Sequence, residues 1–218
     1  GCGGGWAAMA LASRFAQVSV DAYDVDPPTL ALARSNVDRA GLSDRVRVVD
    51  QDLSREGPSD AYDLVMAFEC IHDMPAPVDV LAGMRRAVKP DGHVLVADTA
   101  GAEEFTPDGD PVQRALYGYS VLICLPDAMT GNADDATGTV MRPATMDRYA
   151  REAGFAGATQ FVRPEDVGSS IPCGPDLDKV VEAGALVAHE HHDVARLLGD
   201  VGALVAEDRV TQPAQEVR

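Results

Sequence analysis

Gly1-Cys2-Gly3-Gly4-Gly5-Trp6, followed after an Ala-, Leu- and Met-rich run by Val18-Ser19-Val20-Asp21-Ala22-Tyr23-Asp24-Val25-Asp26-Pro27, is the stretch that decides the fold. The run from Trp6 to Ala16 has no breaker and reads as a helix opening directly from the glycines. Val18 to Tyr23 alternates Val, Val and Tyr with polar residues and reads as a short strand. A glycine loop opening a helix brings backbone N–H groups and the positive end of the helix dipole to a ligand. An acid closing the next strand, about 20 residues after the glycines, is placed to accept hydrogen bonds from ribose hydroxyls. Asp24 holds that position; as an alternative it is a surface turn acid or a helix N-cap. Asp26, directly before Pro27, reads as the cap of the following helix.

Outward from this stretch, strands and helices alternate. Pro27 and Pro28 suit a helix start; Leu30, Ala33, Val37 and Ala40 share one face, and Gly41 suits the stop. Arg45 to Val49 and Tyr62 to Phe68 read as strands, Val78 to Val88 as a helix, Lys89-Pro90-Asp91-Gly92 as a turn and His93 to Ala97 as a further strand. The alternation predicts an α/β fold, a Rossmann-like doubly wound three-layer sandwich with a mostly parallel sheet, and a ligand beyond the carboxyl ends of the strands. Val112 to Leu125 reads as an apolar helix and Asp127 to Thr139 as a loop, so that residues 105–142 form a lid-like insert. Pro143 to Ala153 reads as a helix and Ala158 to Val162 as a strand. From Pro164 the pattern fades, and 164–218 reads as an atypical helical extension to a domain over 1–163.

Composition narrows the function. Lys and Arg number 18 against 35 Asp and Glu, a formal net charge of -17 that repels phosphate backbones, so no nucleic-acid partner is expected. No apolar run approaches the roughly 18 to 20 residues of a membrane span, and no signal segment is evident, so a cytoplasmic location with no membrane partner is expected. Cys2, Cys70, Cys124 and Cys173 contain no C-x-x-C pair, which argues against a zinc knuckle or a disulfide framework. His189, His191 and His192 read as solvated histidines, and no metal is expected.

Several stretches, in order, resemble the class I S-adenosylmethionine-dependent methyltransferases. Gly1 to Gly5 resembles the end of that family's first motif and Tyr23 to Pro27 its acidic second motif. Ala33-Arg34-Ser35-Asn36 with Ala40 to Val46 is similar to the helix and turn that follow. Val49-Asp50-Gln51-Asp52-Leu53 is similar to the segment in which an aspartate meets the adenine amino group. Tyr62 to Val65, Ile71-His72-Asp73-Met74 and Leu81 through Val96 resemble the fourth strand and the helix, turn and strand after it. The resemblance implies S-adenosyl-L-methionine as cofactor, held by Gly1, Gly3, Gly5, Asp24, Val25, Asp52, Leu53 and Phe68. It implies methyl transfer to a small-molecule acceptor at O, N or C, with His72 the best-placed general base and Glu69 on the same wall. Tyr117 and Tyr119 are candidates to line the acceptor pocket. A strand precedes the glycines in the family, so the first strand is expected to be missing or incomplete and the chain to be part of a longer protein. An N-terminal module of the kind some relatives carry would bring a homodimer with it. Two alternatives stand beside this reading. One is a non-catalytic cofactor-binding or interaction protein on the same fold. The other is an NAD-dependent dehydrogenase, since Gly3-Gly4-Gly5-Trp6-Ala7-Ala8 also fits G-x-G-x-x-A.

Overall fold

The computed structural model describes residues 1–99, 101–107, 111–130, 133–160 and 185–189. In chain order they form α1 (Trp6–Arg14), β1 (Val20–Asp24), α2 (Pro27–Arg39), β2 (Val46–Asp50), β3 (Tyr62–Phe68), α3 (Pro77–Ala87), β4 (Val88–Ala97), α4 (Pro111–Tyr119), α5 (Leu125–Ala128), α6 (Pro143–Glu152), β5 (Gly157–Gln160) and β6 (Ala185–His189). A 3-10 turn at Ile71–Asp73 follows β3, and a π-helical turn at Ser120–Cys124 joins α4 to α5. β1 pairs in parallel with β2, and β3 in parallel with β4, each through an intervening helix. Those two β-α-β crossovers define a Rossmann-like α/β fold.

Local chemistry sets the boundaries. Gly5 adopts φ 79 to turn the chain into α1, which buries Ala8, Met9 and Ala12. Asp26 caps α2, its Oδ2 accepting from the Thr29 backbone N–H at 2.9 Å, and Gly41 at φ 67 stops the chain beyond it. Leu30, Ala33 and Val37 are buried as their spacing predicts, whereas Ala40 lies past the last turn and is exposed. Ala8, Met9 and Ala12 of α1 and Val37 of α2 form one core with Ala22, Leu42 and Val46. A second core joins Leu81 and Met84 of α3, Val94 and Val96 of β4, and Met146, Tyr149 and Ala150 of α6.

Three expectations are corrected. The Lys89 to Gly92 turn lies inside β4: pairing passes from Tyr62 with Val88 to Leu64 with His93, so these four residues make an excursion within a continuous strand. The expected helix from Val112 to Leu125 is divided by the π-helical turn at Ser120–Cys124. The third correction concerns the C-terminal extension. Ala185–His189 is not helical but a strand, lying antiparallel between β4 and β5. Its Ala-rich surroundings favour a helix, and a tertiary slot between two strands outweighs that local preference. The remainder of 164–218, including His191 and His192, lies outside the described residues.

The two-stranded and four-stranded sheets are joined by side chains. Tyr23 and Tyr62 meet hydroxyl to hydroxyl at 2.6 Å, and the Tyr62 hydroxyl donates to Asp21 Oδ2 at 2.7 Å. Asp21 is in turn gripped by Arg47 of β2 through Nε and Nη2 at 2.8 and 2.5 Å. Loss of solvation together with this hydrogen bonding to Tyr23 and Asp21 pushes the Tyr62 phenol well above its ordinary value. Among the described residues no helix is long and apolar enough to cross a membrane.

Helix α3 is held against the loop after β2 at a position that admits only glycine. A Cβ on Gly83 would stand 2.0 Å from the Leu53 carbonyl oxygen, which is backbone and cannot move aside. Arg86 Nη2 donates to that same oxygen at 3.0 Å. Gly83→Ala is therefore expected to lower stability by about 1–3 kcal/mol, the usual range for forced overpacking, read as a reduced urea midpoint at unchanged slope.

Candidate active site

The glycine loop is anchored from outside itself. Asp24 stands at the carboxyl end of β1 with 9% of its surface exposed. Its Oδ2 accepts from the Gly3 backbone N–H at 3.0 Å, and its Oδ1 accepts from Val25 and Asp26 at 2.8 and 3.2 Å. Burial opposes the charge on Asp24, but these backbone donors outweigh it and hold the carboxyl below its ordinary pKa. Gly3, at φ 53, turns its N–H into Asp24. Asn36, buried on α2, donates from Nδ2 to the Gly4 carbonyl at 2.9 Å, and Cys2 donates its backbone N–H to Tyr23 at 2.8 Å. Val25, just beyond, is 59% exposed.

Asp52 and Leu53 follow β2 at the same edge. Asp52 Oδ1 accepts from the Ser54 N–H and hydroxyl at 2.9 and 2.6 Å, and Oδ2 faces Arg55 at 3.2 Å. Phe68 closes β3 opposite Ala97 of β4. Glu69 follows at φ 48, its N–H donating to Ala97 and its Oε2 accepting from the Thr99 hydroxyl at 2.7 Å. Although solvent reaches Glu69, loss of solvation and the neighbouring carboxylates of Asp98 and Asp73 raise its pKa. Gly1 reaches this wall directly, since a Cβ there would stand 3.1 Å from both Cys70 Cβ and Met74 Cε. Burial pushes the Cys70 thiol up to about 11.

His72 lies on the 3-10 turn, 4% exposed, between two carboxylates. Its Nδ1 is hydrogen-bonded to Oδ1 of Asp98, which is 2% exposed and stands just past β4. The His72 backbone N–H also donates to Asp98 Oδ2 at 3.3 Å, and Thr99 N–H donates to Asp98 Oδ1 at 2.8 Å. Nε2 faces Asp73 Oδ1 at 3.2 Å. Burial disfavours the imidazolium, but the hydrogen bond and charge of Asp98, with the charges of Asp73 and Glu69, outweigh it and raise the His72 pKa. A carboxylate on Nδ1 keeps a proton there and leaves Nε2 to accept one.

Of the two tyrosines, Tyr117 turns its hydroxyl to Arg142 Nη2 at 2.6 Å and packs edge-on against Phe105, while Tyr119 is exposed. The segment approaches His72 through other residues: α5 packs on the 3-10 turn, Gly138 donates its N–H to the His72 carbonyl at 3.1 Å, and the Cys124 thiol lies against Asp73 and Thr139. The sequence reading missed Asp98 and the placement of Cys124. Asp98 carried a usable signal, since an acid directly after an apolar strand of a parallel sheet stands at the ligand edge; Cys124 carried none.

Residues 1–94 match a sequence family described as a methyltransferase domain, in line with the resemblance to class I S-adenosylmethionine-dependent methyltransferases. The match follows the methyltransferase reading of the glycine loop and not the nicotinamide one. The chain is 33% identical over 157 residues to a ubiquinone biosynthesis O-methyltransferase of Stutzerimonas stutzeri strain A1501, an alignment covering 72% of this chain and 62% of that protein. A solved O-methyltransferase family protein from Burkholderia thailandensis superposes with a TM-score of 0.59 at 21% identity, covering 87% of this chain and 48% of its own. PigF, solved with SAH, superposes at 0.58 and 19% identity, covering 87% and 48%. The chain thus spans less than two thirds of the length of the curated relatives it matches.

The depressed pKa of Asp24 fixes a pH dependence. A lowered folded-state value means that the stabilisation is complete above the ordinary carboxyl value of 3.8 and is lost as pH falls through the folded value. In Asp24→Asn, stability near neutrality is expected to fall by roughly 1–3 kcal/mol. The acid-side decline below about pH 4 should also be shallower than in the parent, as read from urea midpoints between neutrality and acid.

Proposed function

We propose that the chain catalyses methyl transfer from S-adenosyl-L-methionine to a hydroxyl oxygen of a small, partly apolar acceptor. The observation that carries it is the pairing, at one sheet edge, of an anchored glycine loop with a buried His72–Asp98 pair. The O-methyltransferase relatives add support for oxygen as the atom methylated.

The residues present fit the cofactor. Gly3 has open space where a side chain would stand, so the loop offers bare backbone to a ligand. A carboxylate has about four acceptor sites and Asp24 gives three to backbone N–H groups, so its remaining site, on Oδ2, takes one ribose hydroxyl rather than two. Gly1, Gly3, Gly5, Val25 and Phe68 line the cofactor, with Asp52 and Leu53 at its adenine end. The cofactor supplies a sulfonium-bound methyl with a good leaving group, so orientation and exclusion of water carry much of the rate. His72 Nε2 accepts the proton of the acceptor hydroxyl while Asp98 keeps Nδ1 protonated and the ring in place. Asp98 is thus a positioning residue. The 105–142 segment covers the acceptor, with Tyr117 held by Arg142 as part of its wall and Tyr119 on its outer side. Net charge of -17 fits a neutral acceptor and disfavours nucleic acid, and a cytoplasmic location is part of this reading.

Calorimetric titration with S-adenosylmethionine, S-adenosylhomocysteine and NAD is the first test. Saturable binding of the first two is expected, weakened about tenfold to a hundredfold in Asp24→Ala; selective NAD binding would sink the assignment. Once an acceptor is found by screening phenols and alcohols, His72→Gln should lower kcat by about 10²–10⁴-fold with cofactor affinity unchanged. Asp98→Asn should lower kcat less, with KM little altered and partial recovery in Asp98→Glu. Equal loss of cofactor affinity in all three variants would show a purely structural role.

A further inference from the structure

The side of His72 that faces away from Asp98 poses a separate problem of charge. With its proton on Nδ1, Nε2 presents a lone pair to Asp73 Oδ1 only 3.2 Å away. That oxygen is closed off from solvent, as is Thr139 Oγ1, on a residue 6% exposed, and both residues lie against the Cys124 thiol. An imidazole nitrogen and a carboxylate oxygen this close can share one metal cation between them. The Cys124 thiol, carried on the π-helical turn, completes the surround, with ligand atoms of His72, Asp73 and Cys124 all within 4.8 Å of one another.

These are ligand types for a borderline-soft divalent ion: one imidazole nitrogen, one carboxylate oxygen and one sulfur. At zinc-to-ligand distances of about 2.0–2.1 Å, the 3.2 Å between Nε2 and Oδ1 corresponds to an angle of about 100° at the ion, close to tetrahedral. The outer partner is also in place, because Asp98 on Nδ1 makes a carboxylate–histidine–metal series that aims the Nε2 lone pair. Thr139, against the Cys124 thiol, adjoins these three residues.

We propose that His72 Nε2, Asp73 Oδ1 and Cys124 Sγ form a capture site for Zn²⁺ or a similar divalent transition-metal ion. The site clips the π-helical turn to the 3-10 turn after β3. Binding displaces the Cys124 proton to solvent and forms the metal–thiolate bond with no change of oxidation state. Because the ion occupies the lone pair that would take the acceptor's proton, bound Zn²⁺ inhibits methyl transfer. The inhibition rests on the reading of His72 as proton acceptor; the capture itself does not.

The test is titration of the 218-residue chain with Co²⁺, which reports thiolate ligation by near-ultraviolet charge-transfer absorption and tetrahedral geometry by its visible bands. One saturable site with a thiolate band is expected, with both signals removed by stoichiometric Zn²⁺. In Cys124→Ser the thiolate band should vanish, and in Asp73→Asn it should remain while affinity falls at least about tenfold. Melting followed by circular dichroism verifies that each variant is folded. Absence of the band in the parent chain overturns the proposal whatever the variants do. A band that persists in Cys124→Ser assigns the metal to another cysteine and also overturns it, as does unchanged affinity in Asp73→Asn. With an acceptor in hand, Zn²⁺ should suppress turnover reversibly to chelator in the parent but not in Cys124→Ser; full turnover of the zinc-loaded chain would refute the inhibition. A chain that binds Co²⁺ as described but transfers no methyl group would refute the methyltransferase reading and leave the metal site standing.

Discussion

A buried carboxylate is costly unless its oxygens are met by donors, and the way Asp24 meets that requirement shapes the cofactor edge. Its donors are the backbone N–H groups of Gly3, Val25 and Asp26, so the chain must turn toward it on both sides. Gly3 does so at a positive φ, Gly5 at another positive φ starts α1, and Asn36 catches the carbonyl between them. The loop is consequently not a flexible glycine run but a piece of backbone fixed from β1 and α2. That fixation presents its remaining surface to a ligand without a side chain in the way.

The opposite side of the site handles buried charge by the reverse means. Around His72 the carboxylates of Asp98, Asp73 and Glu69 face one imidazole, and the excess of acid raises its pKa. Gly1 packs between Cys70 and Met74, so the two ends of the site share a wall of backbone and apolar side chain. The anchoring is therefore local on the Asp24 side and long-range on the His72 side, where Asp98 arrives from β4 and Cys124 from the π-helical turn. Both ends depend on the two sheets keeping their relation, to which the Tyr23–Tyr62–Asp21–Arg47 chain contributes.

This difference in range explains what could be read from the sequence. Asp24, the Asp26 cap, the Gly41 stop and the limits of β3 were legible because each depends on neighbours a few residues away. The glycine loop and Asp24 were joined by spacing alone. Asp98 was not read as a partner of His72, since the two are brought together only when β3 and β4 pair. β6 was read as helix because its Ala and Val content is ambiguous in period and the slot between β4 and β5 has no trace in the local sequence. The π-helical turn was missed for a related reason: an apolar run from Val112 to Leu125 says that a helix forms, not how its hydrogen bonds shift to aim one cysteine inward.

If His72 is the proton acceptor, its surroundings also bear on which acceptors can react. Proton transfer from a neutral hydroxyl to Nε2 creates an imidazolium facing Asp98 and Asp73, where the new positive charge is stabilised as it forms. An acceptor that arrives as an anion gains nothing from that arrangement and must approach three carboxylates in a protein of net charge -17. The same electrostatics that strengthen the base thus select for neutral hydroxyls over carboxylates and ionised phenols. They equally favour any small cation that reaches Nε2 first, so a strong base here and an attractive site for a divalent ion follow from one distribution of charge.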